Sequence, residues 1–517
     1  MVSSFDGKIL VPFPIESALS GVKKKLKHKQ RLWYQRIFFI SESWKAKRIL
    51  LHFGAVDWEA TIWVNKKKVG THKGGYVPFS FEITEYISEN KENELIIAVW
   101  DPTKKRHQGR GKQTSKPIGV FYTAVSGIWQ TVWLEPVPNT YINNLRMVPD
   151  IDEEILSLNV KIINSQPEDK IDLEVKDGNV EILATSGSIN QEFTLKIPNP
   201  RLWSTEEPFL YDLIIKLNRG GKILDEVKSY FGMRKIGLGR DEKGFRTIEL
   251  NNKQIFQYGT LDQGYWPDGL YTAPTDEALR YDIEITKELG FNLIRKHIKI
   301  EPLRWYYFCD KMGVLVWQDM PSGGRMFRRR KKFGRINYYY ELESMISTLF
   351  NSPSIVMWVP FNEGWGQFET KKVVKKIKNQ DPYRLINNAS GWFDKGIGDV
   401  RDCHKYPSPD IPNDLKGRAA VCGEFGGLGL KIENHMWHKR FKWSYKKSKD
   451  VNLLTEKYSE LILRLQNLIS MGLCAAIYTQ TTDVEGEING LLTYDREVIK
   501  MDVKRVRELN LSLYRQK

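Results

Sequence analysis

The alternation of short apolar runs with amphipathic segments after residue 237 constrains the fold more than any other feature of this sequence. Apolar runs that alternate with helical segments predict parallel strands. Eight such runs between residues 238 and 517 predict a (β/α)8 TIM barrel, a fold of about 250 residues. The eight runs are Ile255–Tyr258, Leu293–Arg295, Val314–Trp317, Ile355–Val359, Arg384–Ile386, Val400–Cys403, Ala420–Cys422 and Ala475–Tyr478.

Three helical segments between these runs carry their own start and stop signals. Thr275 can cap the first segment, which ends at Gly290. The second begins at Pro302 and ends at Gly313, because proline suits the start of a helix and glycine its end. The third is the long amphipathic stretch Leu453–Met471. These signals support the predicted barrel.

The first 237 residues carry a different pattern, in which β-branched and aromatic runs are separated by Gly, Asn and Pro. This pattern is typical of β-sandwiches. The strand candidates are Arg48–Phe53, Ala60–Val64, Leu95–Trp100, Thr131–Leu134, Ser157–Ile163, Lys170–Val175 and Tyr211–Leu217. We therefore predict a sandwich domain over residues 1–138, an immunoglobulin-like sandwich over residues 139–237 and the barrel over residues 238–517.

The composition argues against several other classes of protein. A net charge of +16 is compatible with nucleic-acid binding, but the basic residues are scattered, so we expect a solvated basic surface and no nucleic-acid partner. No apolar run approaches the roughly 18 residues of a membrane span, so no membrane association is expected. The four cysteines form no CxxC pair, and His435 and His438 lack a third ligand, so we predict neither a metal nor a cofactor.

Two glutamates directly follow predicted barrel strands. Glu363 lies in WVPFNEGW after the fourth run, and Glu424 lies in VCGEFGG after the seventh. Barrel enzymes carry their catalytic groups at this end of the strands, and glycoside hydrolysis needs two facing carboxylates. We expect their repulsion to raise one pKa and keep that acid protonated. A lone glutamate after a buried strand is as often structural, so the residues alone leave that alternative open.

These segments resemble the glycoside hydrolases of family two. Asn362-Glu363 after Trp-Val-Pro-Phe resembles the family's acid/base motif, and Gly423–Gly426 resembles its nucleophile motif. Gly54–Thr84 resembles the family's jelly-roll sugar-binding domain, and Ser126–Trp133 resembles the closing strand of that domain. Phe231–Arg234 resembles the junction from the second domain into the barrel. The resemblance covers essentially the whole chain. It implies a jelly-roll domain, an immunoglobulin-like sandwich and a TIM barrel, in that order.

The resemblance also implies roles for single residues. Glu363 would be the general acid/base, and Glu424 the nucleophile that forms a glycosyl-enzyme. Asn362 would bind the 2-hydroxyl of the sugar, Arg295 would orient the nucleophile, and His297 would bind a sugar hydroxyl. Further candidates for substrate binding are Asp262, Trp266, Trp365, His404, Tyr406, Tyr478 and Asp483. Each of these has an alternative role in packing or in a surface loop.

The resemblance implies a retaining, exo-acting β-glycosidase whose partner is an oligosaccharide or glycoside, with homo-oligomers possible. The Asn-x-Lys carboxylate clamp of glucuronidases has no counterpart after the eighth run, which favours a neutral sugar. A β-galactosidase-like activity is expected from its frequency in the family, and no residue of this chain selects it. A β-glucuronidase, a β-mannosidase and a non-catalytic carbohydrate-binding homologue are the alternatives.

The chain begins inside the family's first domain, so we expect an exposed sheet edge there. No signal peptide opens the chain, which fits a cytoplasmic protein if this start is genuine. A periplasmic or secreted protein is expected if a leader is missing.

Overall fold

Two antiparallel β-sandwiches and an eight-stranded parallel barrel follow one another along the chain. The structure is a computed structural model, and it describes residues 4–88, 91–103, 105, 108–323, 331–438 and 442–514. The predicted fold class is confirmed.

The first sandwich is built from strands whose residues are buried alternately. In Glu59–Val64 every second side chain is buried, because successive side chains of a strand point to opposite faces. This strand turns into the next through Asn65 and Lys66, whose φ values of 48° and 66° suit a two-residue hairpin turn. One sheet contains Leu32–Phe38, Asn93–Trp100, Glu59–Val64 and Lys67–Lys73, and the other contains Val132–Val137, Arg48–Phe53 and Phe79–Glu82. Two short pairs join Val56–Asp57 to Gly127–Ile128 and Gln113–Thr114 to Tyr122–Thr123.

The second sandwich shows the same alternation. Tyr211, Leu213, Ile215 and Leu217 are buried on one face of their strand and contribute to a single apolar core. Its sheets contain Tyr141–Asp150, Ile155–Ile163 and Phe193–Lys196 on one side, and Val180–Ser188, Lys170–Asp177, Tyr211–Arg219 and Lys222–Phe231 on the other.

A small sheet leads from the second sandwich into the barrel. Its strands are Ile236–Arg240, Arg246–Leu250 and Lys253–Gln254, and Ile248 packs into the apolar interior of the barrel. Arg234, just before this sheet, is buried and donates to the carbonyl oxygens of Pro353 and Ile355, both at 2.9 Å. The guanidinium therefore fastens the junction to the start of the fourth barrel strand.

The eight barrel strands lie where the apolar runs predict them. In chain order they are Gln257–Asp262, Leu293–Lys296, Leu315–Asp319, Ile355–Val359, Leu385–Ile386, Val400–Lys405, Ala419–Gly426 and Leu473–Thr479, called barrel strands 1 to 8 below. Regular parallel pairing runs from strand 5 through strands 4, 3, 2, 1, 8 and 7 to strand 6. Between strands 5 and 6 there is instead a single main-chain hydrogen bond, from Asp399 N to Ile386 O at 2.9 Å, beside an isolated bridge between Asn387 and Gly398. We call this junction the seam.

The three predicted helices are confirmed. Thr275 accepts a hydrogen bond from Ala278 N at 3.1 Å and caps the first, and Gly313, at a φ of 69°, ends the second. The third begins at Val451, two residues before its predicted start. The described helices are α1 (Asp276–Glu288), α2 (Leu303–Met312), α3 (Lys332–Leu349), α4 (Thr370–Gln380), α5 (Val451–Ser470) and α6 (Val503–Ser512), with 3-10 turns at Glu42–Trp44 and Thr84–Tyr86. None of the helices in the described ranges combines the length and the apolar character that a membrane crossing needs.

The first sandwich lies against the end of the barrel at which the strands finish. Gly111 N donates to Ser322 O at 3.1 Å, after strand 3. Gln130 Nε2 donates to a carbonyl oxygen in the loop after strand 2, and Thr123 N donates to Glu485 Oε1 at 2.7 Å, after strand 8. The first domain therefore forms part of the wall around the barrel mouth.

The side chain of Arg384 supports the short strand 5, which lies at the seam. Its replacement therefore tests how much this support contributes to stability. Its guanidinium is 4% exposed, pairs with Asp381 at 2.8 Å and donates to the carbonyl oxygens of Phe350, Ser352 and Ile355. Arg384→Met removes the donor to the carbonyl oxygens of Phe350 and Ser352 and the cation beside the buried Asp381, at a cost of about 3–5 kcal/mol. We expect the melting temperature to fall by roughly 6 °C or more.

Thermal unfolding of the purified variant checks this expectation. Arg464→Met is the matched control, because Arg464 is 48% exposed and pairs with Asp410 at the surface. It is expected to cost less than about 1 kcal/mol. Equal melting temperatures for the two variants would contradict the proposed support of strand 5.

Candidate active site

Glu363 and Glu424 meet at the barrel mouth. One carboxylate oxygen of each, together with Nδ1 of His404, lies in a group whose atoms are all within 4.8 Å of one another. Glu424 lies within strand 7, whereas Glu363 follows strand 4 in a turn where its φ is 49° and that of Gly364 is 73°. Glu363 N donates to Ser390 O at 2.9 Å, which fixes this turn against the segment after strand 5.

His404, on strand 6, lies between the two carboxylates. Its Nδ1 is 2.9 Å from Glu363 Oε1 and 3.5 Å from Glu424 Oε2. Its Nε2 is 2.8 Å from Ser390 Oγ, and Ser390 in turn donates to Asp402 Oδ2 at 2.6 Å. Because the serine proton is given to Asp402, Nε2 must donate to the serine, while Nδ1 faces carboxylates. Both ring nitrogens therefore carry a proton, and His404 is an imidazolium.

The electrostatics of the site favour this charge. Burial alone would lower the pKa of His404, but the charge of Glu424, the hydrogen bond to Glu363 and the charge of Asp402 outweigh it and raise the pKa to about 9. The two carboxylates thus share one cation between them.

The pKa of Glu363 moves in the direction opposite to the one expected from the sequence. Burial works to raise this pKa, but the hydrogen bond and charge of His404, with the charges of Lys112 and Arg295, hold it below its ordinary value. The expectation that repulsion from Glu424 keeps Glu363 protonated is therefore wrong for the unliganded site. The physical reason is the imidazolium between the two acids.

Glu424 is oriented by donors on both of its oxygens. Arg295 Nη1 lies 3.3 Å from Oε1, and the Tyr406 hydroxyl donates to Oε2 at 2.7 Å. Tyr406 also contacts Thr479 Oγ1 at 2.7 Å, and its ring stacks on Tyr445 with the centroids 3.6 Å apart. These contacts hold the carboxylate in one orientation at the end of strand 7.

Arg295 is fully buried and connects strands 2, 3, 4 and 7. It pairs with Asp319 through Nε at 3.1 Å and Nη2 at 3.0 Å, and Nη2 also donates to Asn362 Oδ1 at 2.8 Å. Since the amide oxygen of Asn362 accepts this bond, its NH2 group is what the residue can offer to a substrate.

His297 is also part of this network. Its Nδ1 lies 2.9 Å from Asp319 Oδ2. Burial, followed by the charges of Lys112 and Arg295, lowers the pKa of His297 well below its usual value, so the ring is neutral. A neutral ring that donates through Nδ1 to Asp319 leaves Nε2 as an acceptor for a hydroxyl.

The structure places the remaining predicted residues in other contacts. Trp365 is partly buried and stacks on Phe121 of the first domain, with ring centroids 5.2 Å apart. Asp262 forms a buried ion pair with Lys296 at 2.5 Å. Among the described residues, neither side chain has a hydrogen bond to the two glutamates.

Three predicted residues lie in the packing around the barrel. The ring of Trp266 lies under the guanidinium of Arg496 at 3.8 Å. Tyr478 belongs to the apolar core between the barrel and its outer helices. Asp483 pairs with Lys500 at 2.6 Å, and burial raises the pKa of Asp483 to about 6.

Sequence reasoning missed several residues of the network. They are Asp319, Ser390, Asp402, Tyr445 and Lys112. Asp319 could have been found, because it is an acid at the end of strand 3, as the two glutamates are at theirs. Lys112 gave no such signal, because it belongs to the first sandwich.

Two groups in the described ranges could offer metal ligands. One is Glu363, His404 and Glu424, in which His404 faces the acids with a protonated nitrogen and so acts as a donor. The other is the partly exposed trio of His435, Asp495 and Glu497. His438, which the sequence places three residues after His435, is not in this trio, and its Nε2 lies 3.9 Å from Glu485.

Comparison with known proteins agrees with this architecture along the chain. Residues 8–138 match the sugar-binding domain of the glycosyl hydrolases family 2, residues 140–234 match the family 2 domain that follows it, and residues 247–406 match the family 2 TIM-barrel domain.

Curated relatives are similar over much of the chain. A β-galactosidase of Thermoanaerobacter pseudethanolicus is 29% identical over 78% of this chain, and the chain spans 54% of that relative's length. A β-glucuronidase of Bacteroides fragilis is 28% identical over 94% of the chain and 75% of its own length.

Solved structures share the fold. The chain superposes on a β-glucuronidase from Ruminococcus gnavus with a TM-score of 0.79 at 18% identity, over 97% of this chain and 91% of that one. A β-D-glucuronidase of Dictyoglomus thermophilum gives a TM-score of 0.78 at 18% identity, over 98% and 93%. With the two sandwiches, the barrel and three successive domain matches, the chain belongs to family 2 of the glycosyl hydrolases.

Proposed function

We propose that this protein is a retaining, exo-acting β-glycosidase in which Glu424 is the nucleophile and Glu363 the general acid/base. The observation that carries the proposal is the spacing of the two carboxylates, whose nearest oxygens lie within 4.8 Å. Retaining enzymes hold these groups about 5–5.5 Å apart, whereas inverting enzymes need about 6.5–9.5 Å to admit a water between them.

The reaction follows from these positions. Glu424 attacks the anomeric carbon, the bond to the leaving oxygen breaks, and Glu363 gives that oxygen a proton. In the second step Glu363 removes a proton from water, which displaces Glu424 from the sugar. The NH2 group of Asn362 donates to the 2-hydroxyl, a contact that strengthens as positive charge develops on the sugar.

The proton for the leaving group is shared with His404. In the unliganded site the proton resides mainly on the imidazole, and Nδ1 lies 2.9 Å from Glu363 Oε1, so one short transfer produces neutral Glu363. A sugar seated between the two acids separates Glu424 from His404 and favours this transfer, because the charge of Glu424 is what most raises the pKa of His404.

The sugar is a β-galactoside or a β-glucuronide, the activities named for the two relatives described above. A panel of nitrophenyl β-glycosides that includes the galactoside, glucuronide, mannoside and arabinoside distinguishes them. Absence of turnover on the whole panel would favour a non-catalytic carbohydrate-binding protein.

Glu424→Gln is expected to reduce turnover by at least roughly 10³-fold without changing the fold, because the amide cannot form the glycosyl-enzyme. Steady-state rates on the best aryl glycoside and the melting temperature check this. A 2-fluoro sugar should label Glu424 in the wild type, as seen by peptide mass. Glu433→Gln is the control, since Glu433 pairs with Lys431 at the surface, and it should retain full activity. Undiminished turnover by Glu424→Gln would exclude the nucleophile assignment.

Glu363→Ala is expected to slow glycosides with poor leaving groups by roughly 10²–10⁴-fold more than activated dinitrophenyl glycosides. The reason is that an activated phenolate departs without a proton, whereas an alkoxide does not. The measurement is kcat/KM over a series of leaving-group pKa values. Equal losses across the series would contradict the acid role.

His404 should titrate near pH 9 in histidine-labelled protein followed by NMR. In Glu363→Gln the midpoint should fall by roughly one to two pH units, because a charged hydrogen bond to the imidazolium is lost. The pKa of His404 in the folded protein lies above its ordinary value of 6.5. The contribution of His404 to the free energy of unfolding is therefore complete below about pH 6.5 and is lost as the pH rises through 9.

His72 serves as the internal control for this titration. Burial lowers the pKa of His72 to about 4, and it lies in the first sandwich, so it should not respond to Glu363→Gln. An unchanged His404 midpoint would show that the proton is not shared with Glu363.

A further inference from the structure

A glycine-flanked loop of the first domain is seated on the barrel mouth. Arg110 N and Gly111 N both donate to Ser322 O at 3.1 Å, after strand 3. A Cβ on Gly109 would lie 2.6 Å from Pro321 O, and one on Gly111 would lie 2.9 Å from a carbonyl oxygen after strand 2. Gly111 also has a φ of 52°. The loop therefore approaches the barrel as closely as it does only because glycine occupies both positions.

The next residue, Lys112, is buried without a counter-ion. It is 7% exposed, and its Nζ lies 5.5 Å from the centroid of the Tyr122 ring. Within the described ranges, no carboxylate lies within 4.0 Å of Nζ and no hydrogen-bond acceptor is engaged by it. Outside those ranges the sequence contains one acid, Glu89.

The other buried lysines are paired. Lys296 lies 2.5 Å from Asp262, Lys299 lies 2.8 Å from Glu301, and Lys500 lies 2.6 Å from Asp483. Buried charges in proteins usually have such partners, because an ion removed from water without one costs several kcal/mol. The Nζ atom of Lys112 is not among the described side-chain atoms that are both fully buried and without a hydrogen bond, so it keeps contact with solvent. Of these four buried lysines, Lys112 alone has no carboxylate partner among the described residues, so its ammonium can bind an anionic ligand.

The positive charge of Lys112 acts on two groups of the candidate active site. This charge contributes to lowering the pKa values of both His297 on the strand 2 side and Glu363 after strand 4. The two described cations that contact the catalytic glutamates already have partners, because Arg295 is paired with Asp319 and Glu424, and His404 with Glu363.

We propose that Lys112 is a specificity-determining residue, supplied to the pocket by the first domain, which binds the carboxylate of a uronic acid unit. The single positive charge of the Lys112 ammonium matches the single negative charge of a uronic acid carboxylate. An ion pair between them would give Lys112 the partner that the described protein residues do not provide. The inference rests on the proposed glycosidase function and narrows its substrate to acidic sugars. It replaces the sequence-based expectation of a neutral sugar, which considered only the segment after strand 8.

The test compares Lys112→Met and Lys112→Arg on nitrophenyl β-glucuronide, β-galacturonide, β-glucoside and β-galactoside. We expect Lys112→Met to lower kcat/KM for the uronide that the wild type prefers by about 100-fold or more. The kcat/KM for the neutral glycoside of the same configuration should change by less than about threefold. Lys112→Arg should recover part of the uronide activity. Lys116→Met, an exposed position four residues on, should behave as the wild type.

Two further measurements separate binding from a structural role. Replacing an unpaired buried charge by methionine should leave the melting temperature unchanged or raise it. The charges that depress the pKa of Glu363 are those of His404, Arg295 and Lys112, so Lys112→Met should move the alkaline limb of kcat/KM on a neutral glycoside to higher pH. A lower melting temperature with equal losses on all four glycosides would overturn the inference.

The remaining outcomes are also decisive. Turnover of neutral glycosides only, with no effect of Lys112→Met, overturns the role of Lys112 and leaves the glycosidase proposal standing. If no glycoside is cleaved, the proposed function fails, and calorimetric binding of D-glucuronate and D-galacturonate against D-glucose and D-galactose tests Lys112 alone. Uronate binding that is lost in Lys112→Met supports the inference, and binding that is equal in both proteins overturns it.

Discussion

The imidazolium of His404 is the interaction on which the site depends. Two carboxylates whose oxygens lie within 4.8 Å repel one another, and a cation between them offsets this repulsion. The ring is held in place from behind by Ser390 and Asp402, which also dictate that both of its nitrogens carry protons. The same ring therefore stabilises the unliganded site and, in the proposed mechanism, stores the proton that the leaving group receives.

This network also braces the barrel where its main-chain pairing is weakest. Strands 5 and 6 share one main-chain hydrogen bond, but Asp402 on strand 6 accepts from both Asn387 and Ser390, which follow strand 5. Glu363, after strand 4, is attached to the same segment through Ser390 O. Polar side chains of the candidate site thus replace ladder hydrogen bonds at the seam, and the network proposed to serve catalysis also closes the barrel.

The sequence predicted what depends on local pattern. The barrel strands and the position of both glutamates follow from apolar runs and from the acids that directly follow them. The orientation of side chains beyond the strand ends could not be predicted in this way, and so Asp262 and Asp483, both acids near strand ends, form buried ion pairs with lysines instead. The direction of the pKa of Glu363 depends on His404, which lies 41 positions away in sequence. Lys112 depends on the docking of a separate domain, for which the sequence carries no periodic signal.

The seating of the Gly109–Gln113 loop on the barrel has a consequence for how such proteins diversify. The two glutamates proposed for bond cleavage lie in the barrel, whereas one wall of the barrel mouth is formed by this loop, 250 positions before Glu363, in a domain with its own apolar core. Under the role proposed for Lys112, exchange of that single loop between homologues would direct the same barrel to a different glycan while every barrel residue is inherited unchanged. On that proposal, sugar preference and hydrolytic chemistry are encoded in two separate domains of one polypeptide and can change independently.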